Sequence, residues 1–233
     1  MLAGGLAHEI KNPLSTISLN MELLAEDFSQ QETPKERRAL AKIAVVQREC
    51  QRLQTLLDGF LNFAKVRQPR LEPTDLNREV ERTLDFFAPQ AAESKIEIVR
   101  YLDPDLPGVL LDRESFQGAL LNLILNAQQA MPLGGQLMAR TSVTAAGVAL
   151  ELIDTGSGMD AKTLDQIFMT FFSTKAGGSG LGLPTARKII EAHGGSISAE
   201  SEVGRGTRFT IELPVPKRIK DEGRAESRMK AEG

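Results

Sequence analysis

Between Pro69 and Pro73 the hydrophobic rhythm of the chain changes, and that change limits what the two sides can fold into. Before it, Leu6, Ile10, Leu14, Ile17, Met21, Leu24 and Phe28 recur at spacings of four and three, which puts one apolar stripe along a helix. A polar stretch from Ser29 to Pro34 reads as a turn. A second stripe then runs through Leu40, Ile43, Val46, Cys50, Leu53, Leu57, Phe60 and Ala64. Two helices in a hairpin leave much of each stripe uncovered. A second copy of the hairpin would close a four-helix bundle and bury both, so the sequence predicts a homodimer.

Beyond Pro73, Thr74 or Asp75 is placed to cap a helix through Leu76, Val80, Leu84 and Phe87. Alternating or continuous apolar runs predict strands over 95–101, 109–111, 136–144, 148–154, 196–201 and 207–213, with helices over 112–131 and 181–193. This order predicts a mixed sheet covered by helices on one face, a two-layer α/β sandwich, and an α+β chain as a whole. The expected organisation is a helical hairpin over 1–68, a linker over 69–74, a sheet domain over 75–214 and a charged, solvated tail over 215–233.

Composition narrows the partners. Of the 233 residues 28 are basic and 31 acidic, so there is no broad positive field for a nucleic-acid backbone, and nucleic acid is not an expected partner. The single cysteine, Cys50, cannot form an intrachain disulfide and lies in the second stripe, as a packed, reduced thiol of a cytoplasmic protein would. No stretch approaches the ~18 consecutive apolar residues of a membrane span. Met1 to Gly5 also lacks a signal-peptide pattern. A soluble chain without membrane insertion is expected.

The chain has two histidines. On a helix turning about 100° per residue, His8 points away from the seam of its stripe, Asn12 shares its face and Glu9 sits beside it. A neutral imidazole has a nitrogen lone pair able to attack phosphorus, and Glu9 can hold the proton of the other nitrogen. An ordinary surface histidine is the plain alternative. The run His8-Glu9-Ile10-Lys11-Asn12 also approaches the zinc-protease pattern, but Asn12 stands where the second histidine ligand belongs. The other histidine, His193, precedes Gly194-Gly195 and reads as a cation at a glycine-capped helix end.

In the helix over 112–131, Phe116, Leu120, Leu123 and Ala127 form the packing stripe, while Asn122, Asn126 and Gln129 share a second face. Amides on so apolar a helix point to directed contacts, and an amide oxygen is a suitable hard ligand for Mg²⁺. The run Asp154-Thr155-Gly156-Ser157-Gly158 follows a strand that delivers a carboxylate to its end, with glycines that let the backbone approach a flat ligand such as adenine. Gly177-Gly178-Ser179-Gly180-Leu181-Gly182-Leu183 leads into a helix whose N-terminal amides suit phosphate. It lacks the Gly-Lys-Ser/Thr ending of a P-loop and the strand that opens a Rossmann fingerprint. Between the glycine runs, Ile167-Phe168-Met169-Thr170-Phe171-Phe172-Ser173-Thr174-Lys175 has little regular pattern, and Phe168 reads equally well as core or as part of a lid.

The stretch from Leu6 to Leu14 resembles the phosphoacceptor box of the sensor histidine kinases. The amide, glycine and phenylalanine runs, taken in order, resemble the ATP-binding domain that those kinases share with gyrase, mismatch-repair and chaperone ATPases. The resemblance covers nearly everything from His8 to Pro214 and is nearest to the nitrogen-regulation type of kinase. It implies that His8 takes the γ-phosphoryl group of ATP with Glu9 assisting, and that Asn12 supports dephosphorylation of a partner. It implies further that Asn126 binds Mg²⁺, that Asn122 and Gln129 lie near phosphates, and that Asp154 holds adenine within the Gly156 and Gly158 turn. By the same resemblance Lys175, Gly178, Gly180, Leu181 and Gly182 form the phosphate-facing lid, Thr207 lies near the adenine end, and Pro13 marks a helix kink. Met169-Thr170 departs from the Glu-Pro usual in the family. The implied partner is a receiver domain of a response regulator, which accepts the phosphoryl group on an aspartate. ATPase relatives carry a glutamate base where this chain has Asn122, which favours the kinase over an ATP-hydrolysing chaperone-like protein or a nucleotide-binding scaffold.

Overall fold

The computed structural model describes residues 2–28, 33–64, 69–175 and 178–216, with the side chains of 2–9, 62 and 64 outside that description. The expected turn at Ser29 and the tail beyond residue 216 therefore lie outside the described residues. The chain divides into two compact units, one of Met1–Lys65 with Phe171–Leu181, the other of Val66–Thr170 with Gly182–Gly233.

In the first unit α1 (Leu2–Asp27) carries Pro13 within it, and α2 (Pro34–Ala64) begins with proline at its first turn, where a missing N–H costs nothing. Thr33 and Glu36 form a reciprocal capping box there: the Glu36 N–H donates to Thr33 Oγ1 at 3.2 Å and the Thr33 N–H to Glu36 Oε2 at 2.8 Å. The helices pack together, and Lys11 Nζ meets Asp58 Oδ1 at 3.2 Å across them. Leu14, Ile43 and Cys50 are buried, but Ile10, Ile17, Leu24, Val46, Leu53 and Phe60 remain 39% to 48% exposed, so a single hairpin does not cover its own stripes.

The second unit opens with a difference from expectation. The stretch expected as linker contains β1 (Glu72–Thr74), which pairs antiparallel with β3 (Val109–Leu111). Three residues with a proline at their centre carry too little periodicity to announce a strand whose partner lies far along the chain. Asp75 then caps α3 (Leu76–Glu93), its side chain accepting from the Arg78 N–H. A mixed five-stranded sheet follows in the order β2 (Ile96–Tyr101), β4 (Gly135–Val143), β5 (Gly147–Asp154), β7 (Gly206–Pro214), β6 (Ser196–Glu202). Only β2 and β4 run parallel.

Three helices, α3, α4 (Arg113–Ala130) and α6 (Gly182–Ala192), bury Phe87, Phe116, Leu120, Ile124 and Ile190 against Leu137, Leu150, Phe209 and Ile211 of the sheet. This is the expected two-layer sandwich. The opposite face is polar, with Arg140, Glu151, Arg208 and Glu200 forming successive ion pairs at 3.8, 3.8 and 3.3 Å across β4, β5, β7 and β6. Alternation of side chains along each strand produces both faces. The short α5 (Ala161–Leu164), capped by Asp160, was not foreseen because one helical turn carries no periodicity. Among the described residues no helix is long and apolar enough to cross a membrane.

Candidate functional site

Helix α4 presents two chemistries because its apolar and amide residues fall on different sides. Phe116, Ala119, Leu120, Leu123, Ile124 and Ala127 are buried, Asn122 and Asn126 are half-buried, and Gln129 is exposed. The Asn126 side-chain amide donates from Nδ2 to the Asn122 carbonyl at 2.9 Å. That bond turns the nitrogen toward the helix backbone and so fixes which way the amide oxygen faces.

Asp154 ends β5 and is 3% exposed. An ionised carboxylate tolerates such burial only when hydrogen-bonded, and Oδ1 accepts the N–H groups of Gly156 at 2.9 Å and Thr207 at 3.3 Å. Thr207 stands opposite Asp154 in the β5–β7 register, so the sheet itself supplies the second donor. The turn after Asp154 is tied to the end of α4 by the Ser157 N–H, which donates to the Ala130 carbonyl at 3.0 Å. Gly158 has φ +65°, and a Cβ there would overlap the Glu202 carbonyl oxygen. A Cβ on Gly156 would come 2.7 Å from Ala130 Cβ and 2.8 Å from Asp154 Oδ1. The glycines therefore keep backbone and carboxylate close together, a cradle that a larger residue would fill.

Gly182 begins α6 beside the amide face, where a Cβ would lie 3.4 Å from Asn122 Oδ1 and 3.9 Å from Asn126 Nδ2. A helix N-terminus set against two amides makes a polar environment for phosphate and a hard cation. The buried carboxylate acceptor, the glycine cradle, the amide face and this helix start together fit a nucleotide with its metal. Phe168 is half-buried against the core, and the Arg187 guanidinium lies 5.5 Å from its ring centroid.

Lys175, Gly178, Gly180 and Leu181 belong to the segment that forms part of the unit containing the hairpin. Phe171 has φ +65° and donates its N–H to the Gly180 carbonyl at 3.0 Å, closing the base of a loop. Gly180 also has φ +65°, and a Cβ there would lie 2.5 Å from the Phe171 carbonyl carbon. Leu181 is buried, and a Cβ on Gly59 of α2 would approach its Cδ1 to 3.3 Å. The backbone of His8 and Glu9 lies in α1, with their side chains outside the described residues, as is Gly177. Asn12 is exposed on α1.

The second unit thus brings Asn122, Asn126, Asp154, Gly156, Gly158, Gly182 and Thr207 together. Sequence reasoning missed Ser201, whose hydroxyl donates to the Gly206 carbonyl at 2.9 Å, accepts the Met159 N–H at 2.8 Å and lies 3.0 Å from Thr207 Oγ1. Only its register opposite Thr207 marks it, and register is invisible before the strands are paired. The expectation for His193 needs correction. It is not a cation: the residue is 4% exposed and its Nε2 accepts the Asp112 N–H at 3.0 Å, which requires a neutral imidazole.

The chain thus carries a helical hairpin whose first helix contains His8 and a sandwich domain that holds this cradle. Residues 1–69 match the family described as "His Kinase A (phospho-acceptor) domain", and residues 111–217 match "Histidine kinase-, DNA gyrase B-, and HSP90-like ATPase". The chain is 36% identical over 214 residues to "Sensor histidine kinase ZraS" of Escherichia coli (strain K12), covering 92% of this chain and 45% of that protein. Among solved structures, full-length ShkA in complex with AMPPNP superposes with a TM-score of 0.69 at 27% identity, over 91% of this chain and 45% of that one. Histidine kinase ThkA in complex with response regulator protein TrrA superposes with a TM-score of 0.64 at 25% identity, over 91% of this chain and 60% of that one. The chain belongs to the sensor histidine kinase family. It spans about half the length of the curated relatives it matches.

Proposed function

We propose that this chain is a kinase core that transfers the γ-phosphoryl group of Mg-ATP to His8 and then to an aspartate of a response-regulator receiver domain. The observation that carries the reading is the buried Asp154 carboxylate, held by two backbone amides at the rim of a glycine cradle. Such an acceptor suits the exocyclic amine of adenine, with Thr207 beside it. Asn126 would hold Mg²⁺ through its amide oxygen, and the ion, when bound, supplies charge neutralisation at the phosphates. Asn122, Gln129, Gly182 and the segment with Lys175, Gly178, Gly180 and Leu181 serve the phosphates.

In the reaction a neutral nitrogen of His8 attacks the γ-phosphorus, the bond to the bridging oxygen of ADP breaks, and the imidazole's other proton is held by Glu9. Phosphoryl transfer of this kind needs positioning and charge neutralisation more than covalent help. Asn12, one helical turn from His8, would support dephosphorylation of the regulator. The half-exposed stripes of α1 and α2 support a homodimer closed by a second hairpin. The ThkA complex with a response regulator supports the receiver as partner, and the reduced, buried Cys50 supports a cytoplasmic setting. Asn122 has no useful basicity, which speaks against water as the acceptor.

Incubation with γ-labelled ATP tests this directly. Wild-type protein should acquire an acid-labile, base-stable phosphate that His8→Gln abolishes. ATP turnover unchanged in His8→Gln would instead make the chain a hydrolase, and tight ATP binding with no label would make it a scaffold.

A further inference from the structure

His193 takes no part in the proposed transfer, yet every polar atom of its ring is engaged. It sits at the C-terminal end of α6, nearly fully buried. Its Nδ1 lies 2.8 Å from the Ile189 carbonyl, which can only accept, so Nδ1 carries the proton and Nε2 the lone pair. That lone pair accepts the Asp112 N–H at 3.0 Å. The ring meets Phe116 of α4 edge-on, with centroids 5.9 Å apart and planes at 63°.

Asp112 is the N-cap of α4, and it is equally committed. Its Oδ1 accepts the Ser115 N–H at 3.1 Å, while Oδ2 accepts the Arg70 N–H at 3.0 Å. One residue therefore joins the first turn of α4, the end of α6 and the chain entering β1. Helices α4 and α6 run antiparallel: at the end opposite this junction, the start of α6 at Gly182 faces Asn122 and Asn126. Apolar helix packing fixes the distance between axes more firmly than the sliding of one helix along the other, because dispersion and burial are non-directional. A buried hydrogen bond is directional. His193 supplies such a side-chain bond from the end of α6 to the backbone of α4's cap.

We infer that His193 is a positioning residue for the nucleotide site, fixing the axial register of α6 against α4 so that Gly182 stays set against Asn122 and Asn126. The inference rests on the nucleotide reading of that site. An eleven-residue helix is stiff, so a shift admitted at its C-terminal end reappears at its N-terminal end, where phosphate is to be bound.

The test uses the full chain, with Mg-ATP as the probe, and begins with wild-type binding. His193→Phe keeps a ring against Phe116 but removes the acceptor, and His193→Gln can return an acceptor oxygen to the Asp112 N–H. Loss of one buried hydrogen bond corresponds to about a tenfold change. His193→Phe should raise KM for ATP by roughly that factor with kcat at saturation changed less than about threefold, and His193→Gln should recover most of the loss. A KM unmoved in His193→Phe, whatever its melting temperature, overturns the inference, as does a His193→Gln variant as impaired as His193→Phe. Should His193→Phe fail to fold, wild-type amide exchange decides. Coupling is reciprocal, so Mg-ATP must slow exchange of the Asp112 N–H, and exchange indifferent to nucleotide overturns the proposal. Absence of wild-type ATP binding removes the nucleotide reading itself, a failure that appears before any variant is made.

Discussion

Thr207 donates its backbone N–H to Oδ1 of Asp154 from the neighbouring strand, so the carboxylate proposed to read adenine is aimed by the sheet as well as by the turn that follows it. Gly156 supplies the second donor to the same oxygen. Asp154→Asn retains an acceptor for these amides but replaces the other carboxylate oxygen by a donor. ATP affinity should fall about 10- to 100-fold, the value of a charge-assisted hydrogen bond, with the melting curve little changed. Calorimetric titration checks it, and affinity equal to wild type would take adenine away from Asp154.

Asn126 is half-buried, and its side-chain amide nitrogen donates to the Asn122 carbonyl. Asn126→Ala should leave the far-UV spectrum intact while reducing His8 labelling by about 100-fold or more, as expected when a phosphate-neutralising metal ligand is lost. A Mg²⁺ titration of labelling rate is the measurement; a wild-type titration curve from the variant would remove Asn126 as the ligand.

Gly158 occupies a left-handed conformation against the Glu202 carbonyl. Gly158→Ala combines backbone strain with overlap of main-chain atoms and should cost about 2–3 kcal/mol. In a chain of this size that is a melting-temperature loss of ~5–10 °C. Differential scanning calorimetry would show it, and an unchanged transition would mean that the turn relaxes freely.

Asp112 gives a pH prediction. The Arg70 N–H, followed by the Ser115 N–H, holds its carboxyl below the usual carboxylate value. A group with a depressed folded pKa binds fewer protons in the fold than in the unfolded chain. Its stabilisation is complete above the unfolded value near 4 and disappears as pH falls through the lower folded one. Asp112→Asn should therefore melt below wild type at pH 7, and the gap should close as the pH is taken below about 4. A gap independent of pH would show that the charge is not what matters.

Leu53 is 48% exposed on the stripe of α2. Leu53→Glu places a charge in the proposed seam between two hairpins and should convert the dimer to monomer in light scattering, while wild type remains dimeric. A wild-type monomer, or a stable dimer of the variant, would remove the four-helix bundle.

Much of this was legible in the residues. The Asn122, Asn126 and Gln129 face, the Asp154 glycine turn and the strands that carry them follow from periods of 3.6 and 2 and from glycine's conformational freedom, all local properties. The strand at Glu72–Thr74 was not legible, since its reason for existing is a partner at Val109–Leu111. Ser201 escaped notice for the same cause.

The sequence alone determined the helical region and the mixed sheet that follows it, the chemical face of α4 and the carboxylate at the end of β5, because each depends on neighbours within a turn or two of chain. Only tertiary structure decided that Thr207 would help to aim that carboxylate, that Gly182 would stand beside Asn122, and that His193 would be a buried neutral acceptor for Asp112 rather than a cation. The physical reason is that hydrogen bonds between distant segments are fixed by strand register and helix packing, and neither is set until the core closes.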